Sequence, residues 1–323
     1  MLKVNYRLTL GSAVFTLSDH SRLLDLQTDA ALATPVNVCR LTLAAPQGLS
    51  LAPDDPVAVE LGYGDELTLV FTGLLERVDW AIDRVMVSAA SAFQTLIAAR
   101  LYRTYEKTKA GDIISDIASS LGLSPGQIEA GLEFPAYALG TNQTVYDYML
   151  RLARQCGFEL YADTEDKLVF TPHRPATTHA LQYGVNILSL DLADAAGPLT
   201  GVEIYGESPA SHGQGPEAYS WLTKQEVKGT AGTTSGLVMR HFDPTVRSQE
   251  AAAQVAEATL AALGQKQHLR AKVLGAPEIK LGEAVRVSDM PVSAQNGTFK
   301  ITGVRHTLNK KEGFVTAING EKL

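Results

Sequence analysis

The chain has 323 residues, of which 45% are hydrophobic and 20% charged, the composition of a globular protein with a substantial buried core. Its formal charge of −7 excludes a protein that coats nucleic acid, and its scattered basic residues form no polybasic patch. The N-terminus lacks the apolar core of a signal peptide and no apolar run reaches transmembrane length, so we expect no membrane anchor. The two cysteines, which we expect to be free thiols, fit synthesis in a reducing cytoplasm.

Residues 1–104 read as short β-strands. Segments 4–10 and 13–17 flank a Gly11-Ser12 turn, which is typical of a hairpin. Strands 23–26 and 36–43 follow, and a three-strand meander completes the region. Antiparallel strands with one buried face predict a small barrel or sandwich, so we expect residues 1–104 to form a first β-barrel.

The period of the apolar residues becomes helical after Tyr105. A first helix is predicted near residues 113–121, and a second opens at Thr144, where Asp147 completes a capping box, and closes at Gly157. Segments 158–162 and 167–171 then predict a hairpin. Residues 105–172 are therefore expected to form a helix-pair plus hairpin insert domain, an α+β insert in a mainly β chain.

The remaining residues, 173–323, predict a second β-barrel. Strands 187–192 and 199–205 precede a segment rich in Gly, Ser, Thr and Pro, which predicts a long mobile loop over 206–236 that orders only on assembly. An alanine-rich helix over 248–263 carries a thin apolar stripe suited to close packing on a sheet. A second three-strand meander ends the chain.

The two meanders echo one another. Strands 57–61, 71–78 and 85–89 resemble strands 285–287, 299–306 and 314–318. When Thr72-Gly73 is aligned with Thr302-Gly303, Val85 falls opposite Val315. A duplicated β-unit offers the same surface twice, so a small symmetric oligomer of this chain can match a partner that has twice its symmetry.

The chain lacks the common catalytic and metal-binding motifs. There is no phosphate-binding loop, no Gly-x-Ser-x-Gly elbow and no His-Glu-x-x-His helix. His173 and His179 have a spacing that no common zinc module uses, and Cys39 and Cys156 are expected to be buried free thiols. We therefore expect no catalytic residue, no metal site and no cofactor.

Two other functions compete with a structural role. A peptidoglycan hydrolase would place its chemistry at the carboxylates of Glu159, Asp163 and Glu165, although an acidic segment over 163–166 is typical of a solvated hairpin turn. A cell-surface or glycan-binding β module would use a tyrosine platform, although aromatic residues on such elements more often pack in a core. The platform would consist of Tyr146, Tyr148 and Tyr161.

The ordered set of motifs resembles the hub proteins of contractile tails: the phage late control protein D family, the T4-type baseplate hub and the N-terminal half of VgrG proteins. The resemblance rests on the final meander (281–287 and 296–306), on segments 111–114 and 144–158, and on Phe71-Thr-Gly73 with 85–87. The matching positions, expected to serve fold geometry or subunit packing, are Gly73, Gly157, Phe158, Gly282, Gly297 and His306. For His306 the sequence leaves two roles open, a strand histidine bonded to a neighbouring turn or a subunit contact.

The resemblance implies a homotrimer without catalysis. Two similar barrels per chain would give a quasi-sixfold ring that docks on the hexameric tail tube and holds a threefold spike. The implied partners are the tail tube protein, a central spike protein, the tape measure protein and baseplate wedge components. VgrG-type chains continue into a neck and a needle whereas this chain ends at Leu323, so we expect the spike to be a separate polypeptide. The particle would be a phage, a bacteriocin or an injection system.

Overall fold

The structure is a computed structural model that describes residues 3–17, 22–44, 47–195, 197, 199–208, 226–264 and 266–323. The fold is mainly β, as predicted, and these residues contain four α-helices, one more than the three that the sequence predicts. The chain starts with seven antiparallel strands: β1 (Val4–Leu10), β2 (Ala13–Thr16), β3 (Leu23–Ala31), β4 (Val38–Ala44), β5 (Pro56–Tyr63), β6 (Glu66–Trp80) and β7 (Arg84–Ala90). They lie side by side in the order β3-β4-β7-β6-β5-β1-β2. Alternate residues such as Leu41, Leu61 and Val85 fill the core beneath them.

The middle region packs helices against two small sheets. Its elements are α1 (Gln94–Ala98), β8 (Arg103–Lys109), α2 (Ala110–Ser120), β9 (Pro125–Ile128), β10 (Glu133–Leu139), α3 (Val145–Cys156), β11 (Glu159–Ala162) and β12 (Leu168–Thr171). The predicted caps of α3 are confirmed: Thr144 and Asp147 form the capping box, and Gly157 is left-handed with φ 67°. Helices α2 and α3 bury Ile113, Met149 and other apolar residues in one core.

A small α/β module follows β13 (Thr178–Gln182) and β14 (Ile187–Ala195). It consists of β15 (Gly201–Gly206), β16 (Val227–Gly232), β17 (Val238–Asp243) and α4 (Gln249–Leu263). Its strands form a separate sheet in the order β16-β15-β17. As predicted, α4 lies close on this sheet: a Cβ on Gly229 would fall 2.0 Å from the backbone of Ala252.

This module corrects two expectations for residues 173–323. Strand 199–205 does not belong to the second β-barrel but to the separate sheet, because it pairs with β16 and β17. The predicted loop 206–236 contains strand β16, since its small residues allow α4 to lie directly on the strand. Residues 209–225 of that loop lie outside the described residues.

Four strands complete the chain: β18 (Lys266–Leu274), β19 (Ala284–Ser288), β20 (Gly297–Asn309) and β21 (Gly313–Lys322). We call β3–β7 the first β-unit, and β14 with β18–β21 the second β-unit. The second unit has its own core around Val285, Phe299 and Ile318, and β13 runs parallel to β19 beside it.

The strands of the two β-units belong to one 13-stranded sheet. Across the described ranges, neither unit closes into a barrel through strand pairing, which corrects the expectation of two closed barrels. The physical reason is the length of β20: residues 297–300 pair with β19, whereas residues 303–309 pair with β3. The strand edge that would be needed to close a barrel is thus used to join the two units.

Candidate assembly interface

The two meanders, β5-β6-β7 and β19-β20-β21, share one pattern of strand pairing. Val57 lies opposite Gly73 in the first, as Val285 lies opposite Phe299 in the second. Each long strand has a register shift against the strand that follows it, between Leu75 and Arg77 in β6 and between Ile301 and Gly303 in β20. A β-bulge adds a residue at one fixed point, so its recurrence aligns the two strands residue by residue.

The outer strands are equivalent as well. The β3·β4 pair has a register shift between Leu23 and Asp25, and the β14·β18 pair has one between Ile187 and Ser189. Strand β3 is therefore the counterpart of β14, and β6 is the counterpart of β20. The predicted duplication of a β-unit is thus present in the strand pairing, and it includes more strands than the two meanders.

The alignment expected from the glycines is wrong. Because the bulges coincide, Gly303 corresponds to Arg77 rather than to Gly73, and Val85 corresponds to Thr316 rather than to Val315. Gly73 and Gly303 have different structural surroundings. A Cβ on Gly73 would lie 2.4 Å from the carbonyl oxygen of Ala90, whereas Gly303 follows the bulge and lies opposite β3.

The two units meet where residues 303–309 of β20 pair antiparallel with residues 25–31 of β3, a contact we call the junction. On one face Arg305 forms an ion pair with Asp29. On the other face Leu308 and Phe314, at the tip of the β20–β21 hairpin, pack into the core of the first unit. The junction therefore combines backbone pairing, an ion pair and an apolar hairpin tip.

His306 lies inside the junction, opposite Thr28. Its Nδ1 is 3.0 Å from Thr316 Oγ1, and its ring also contacts the backbone of Ile279 in the turn before β19. Burial lowers the pKa of His306 to about 4, partly offset by the Ile279 backbone contact. The side chain is thus neutral at pH 7 and bonded to a neighbouring turn within its own chain.

Two of the other matching positions lie where α3 ends. Left-handed Gly157 leaves so little room that a Cβ would lie 3.2 Å from Ala258 Cβ of α4. Phe158 follows and packs edge-on against Phe170, with ring centroids 5.1 Å apart. Gly157 therefore allows the end of α3 to lie close to α4, and Phe158 packs against β12 within the middle region.

The last two glycines are unlike each other. Gly282 has φ 84°, and a Cβ there would lie 2.2 Å from Tyr161 Oη, so only glycine fits. Gly297 begins β20 opposite Val287, and a Cβ there would meet side chains at ordinary distances of 3.4 Å and more. The six matching positions thus lie in different parts of the molecule and do not converge on one site.

The carboxylates considered for catalysis have separate partners. Glu159 Oε1 lies 3.1 Å from Lys300 Nζ and 3.3 Å from His173 Nδ1. Asp163 accepts hydrogen bonds from two backbone N–H groups of its own hairpin turn, and Glu165 pairs with Lys167. Within the described residues, no three His, Cys, Asp or Glu side chains are placed to share a metal ion.

The tyrosines considered for a glycan platform lie in cores. Tyr146 and Tyr148 of α3 are buried, and Tyr161 packs against the core of the second unit. Their rings are therefore not available as a stacking surface. For the part of the chain that the structure describes, no helix has the length and hydrophobicity of a membrane span.

Sequence reasoning missed the residues that make the junction, above all Asp29, Thr28 and Arg305. The only sequence signal is weak: Asp25, Gln27 and Asp29 alternate along β3, as expected of a strand with one polar face. Nothing local indicates that this strand pairs with residues near the other end of the chain.

Comparison with known proteins agrees with this architecture. The family model of the phage tail baseplate hub (GPD) matches residues 38–312. No curated protein sequence matches the chain. Among solved structures, the 43 kDa tail protein of prophage MuSo2 from Shewanella oneidensis is similar at a TM-score of 0.69 and 15% identity, over 98% of each chain.

Two further structures share the fold. The tail protein from Neisseria meningitidis matches with a TM-score of 0.68 and 13% identity, over 99% of this chain and 96% of its own. An Escherichia coli component of the type VI secretion system, described as similar to T4 tail proteins, matches with a TM-score of 0.61 and 12% identity, over 93% of this chain and 73% of its own. With a family model that spans most of its length, the chain belongs to the phage tail baseplate hub family and is a structural hub component of a phage tail or related particle.

Proposed function

We propose that three copies of this chain form the baseplate hub ring of a contractile phage tail or of a related bacteriocin or injection system, and that the ring adapts the hexameric tail tube to a trimeric spike. The observation that carries the proposal is the internal duplication, in which the two β-units share their strand pairing and the positions of their bulges. Three chains then present six near-equivalent units.

Symmetry explains why this arrangement suits an adaptor. Six tube subunits need six similar docking surfaces, whereas a trimer of unduplicated chains would offer only three. A threefold spike needs three docking surfaces, and the same ring supplies one from each chain. Exposed strand edges and flat side-chain packing provide contacts of the kind that tube subunits would use.

The ring is a structural part without catalysis or cofactor in this proposal. The spike, the tape measure protein and the baseplate wedge components are the neighbours of the ring in this proposal. The chain is made in the bacterial cytoplasm and then becomes part of the virion or tail-like particle. Neither specific nucleic-acid recognition nor a membrane anchor enters this role.

The mass of the purified protein in solution tests the proposal. Light scattering is measured on the chain alone and on the chain co-expressed with the spike protein of the same particle. A trimer in either sample, or a complex of three chains with three spike subunits, is the expected result. A monomer in both samples would remove the symmetry on which the proposal depends.

A further inference from the structure

Each β-unit leaves one strand edge unpaired, and the two edges differ. Strand β14 pairs with β18 on one side, and its other side has no strand partner among the described residues. Strand β6 pairs with β5 only as far as Leu74, and the last backbone bonds on that side join Leu75 to Asp54 and Asp55. Residues 76–80 of β6 therefore have an open edge on the β5 side.

The junction shows which edges fit together. Its two strands, β3 and β20, are the counterparts of β14 and β6, because the bulges align them residue by residue. The open edge of β6 is the same edge that β20 uses to pair with β3. One chain therefore makes this strand contact once, between β3 and β20. It also presents two unpaired edges, on β14 and on β6, that could form the same contact with another copy.

We propose that residues 78–80 of β6 pair antiparallel with residues 192–194 of β14 in the neighbouring copy of this chain, in the register of the junction. The counterparts of Val304 and Ala30, Arg305 and Asp29, and His306 and Thr28 set this register. They place Val78 opposite Asp194, Asp79 opposite Ala193, and Trp80 opposite Leu192 of the neighbour. This inference rests on the oligomeric ring of the proposed function and assigns its subunit contact.

The exposure of apolar residues supports the pairing. The side chain of Trp80 is 52% exposed and that of Ile82, in the turn of the β6–β7 hairpin, is 96% exposed. Of their counterparts at the junction, His306 is buried, and Leu308 is partly buried and packs against the core of the neighbouring unit. A tryptophan and an isoleucine at an open strand edge expose surface that a partner strand would cover.

The β14 edge also leaves apolar side chains incompletely buried. Leu26 and Thr28 of β3 are fully buried beneath the junction. Their counterparts on β14, Leu190 and Leu192, are only half-buried against the core of the second unit. The proposed register brings Trp80 onto Leu192 and Ile82 towards Leu190, so apolar surface that each copy leaves uncovered is buried by the next.

A second copy of the chain fits these edges better than an unrelated partner does. The two edges are different and complementary, so the contact is head-to-tail and repeats from copy to copy. Such a contact closes a ring when the rotation per copy divides a full turn, and otherwise grows into a filament. In a closed ring of three copies all six units are joined by the same type of strand pairing.

Site-directed disulfides test the register. In a Cys156→Ala background, Asp79→Cys is combined with Ala193→Cys, while the native Cys39 is buried and unreactive. Directly opposed residues of antiparallel strands lie within reach of a disulfide after small adjustments. The matched control combines Asp79→Cys with Ser189→Cys, which the register places about 13 Å apart, beyond that reach.

After oxidation, the first pair is expected to give covalent dimers and trimers on a non-reducing gel, and the control pair none. Trp80→Ala should raise the protein concentration needed for association by about tenfold or more. Tyr102→Ala, which removes another aromatic ring that is 82% exposed, should leave it unchanged.

The outcomes separate this inference from the proposed function. Trimers by mass that cross-link at neither pair, or at both pairs equally, would overturn the register and leave the hub trimer standing. Cross-linked species that extend beyond three chains would support the pairing and contradict a closed trimer. A monomer without cross-links would overturn both.

Discussion

Arg305 and Asp29 form an ion pair directly across the junction, between strands that belong to different β-units. The Arg305 side chain is 55% exposed, so water screens the pair and its energy is small. Its significance is geometric, because the two residues lie opposite each other only in one register of β20 against β3. The stability of the junction must come from the buried side of the same strands.

A double-mutant cycle at this pair should reveal only weak coupling. With Asp29→Ala and Arg305→Ala, singly and together, urea unfolding should give a coupling free energy of about 0.2–1 kcal/mol that falls as salt is added. The Arg7–Glu60 pair within the first unit, with 3.2 Å between its charged atoms, is a matched control and should behave alike. Coupling of several kcal/mol would show that the junction depends on the ion pair.

Gly73→Ala should destabilise the protein, because the new Cβ would lie 2.4 Å from the carbonyl oxygen of Ala90. Overpacking of this kind costs about 1–3 kcal/mol in the free energy of unfolding. Gly297→Ala is the control, since its Cβ meets no atom nearer than 3.4 Å, and the expected change is within about 0.5 kcal/mol. Equal effects of the two substitutions on the urea midpoint would contradict the assignment of Gly73 to close strand packing.

His306 should make the protein less stable in acid. Its pKa is lowered from 6.5 to about 4 in the folded chain, so between these pH values the unfolded chain binds a proton that the folded chain does not. Stability from this group is therefore full above pH 6.5 and falls by about 3 kcal/mol as the pH drops to 4. His306→Gln, which cannot titrate, should lack this loss.

The native protein must be compared with His306→Gln because Asp166 has the opposite effect on stability as the pH falls. Burial raises the pKa of its carboxyl from 3.8 to about 6, so this group favours the folded chain as the pH falls through that range. Between pH 7 and pH 4, the free energy of unfolding of the native protein should fall relative to that of His306→Gln. Parallel curves would show that His306 is accessible and titrates normally.

Asp243, at the end of β17, links the small module to α3. Its carboxylate accepts hydrogen bonds from Gln155 Nε2 at 2.6 Å and from Arg151 at 3.1 Å, and it is buried. Asp243→Ala would remove an acceptor from both donors. Because the Arg151 side chain is 39% exposed to water and Gln155 keeps Thr245 Oγ1 at 2.8 Å, the expected cost is about 1–3 kcal/mol in thermal or urea unfolding. Glu312→Ala, which breaks a solvent-exposed pair with Lys272, is the control and should change the stability much less. A small effect of Asp243→Ala would mean that the module is held in place by apolar packing alone.

Local signals made part of this fold predictable. The capping box of Thr144 and Asp147, and Gly157 at the other end of α3, follow from the hydrogen-bonding needs of helix ends. Alternation of apolar residues located both meanders, since each strand buries one face. These features depend on residues a few positions apart, so they can be predicted from the sequence of one chain.

The junction and the small module lacked such signals. Strand β20 meets β3 although their residues are separated by almost the whole chain, and no residue type marks that pairing. The alignment of Gly73 with Gly303 failed because the register depends on bulges, which the sequence does not display. Gly229 falls in the segment predicted as a loop, but it lies in β16, where the backbone of α4 leaves no space for a side chain.

The decisive measurement is the rotational symmetry of the purified assembly, seen end-on by electron microscopy. Three duplicated chains should give a ring with six similar lobes in averaged projections, with a weaker threefold modulation because the two β-units of each chain are similar but not identical. Particles without a ring, or rings with twofold or fourfold symmetry, would contradict the claim that three duplicated chains form the hub.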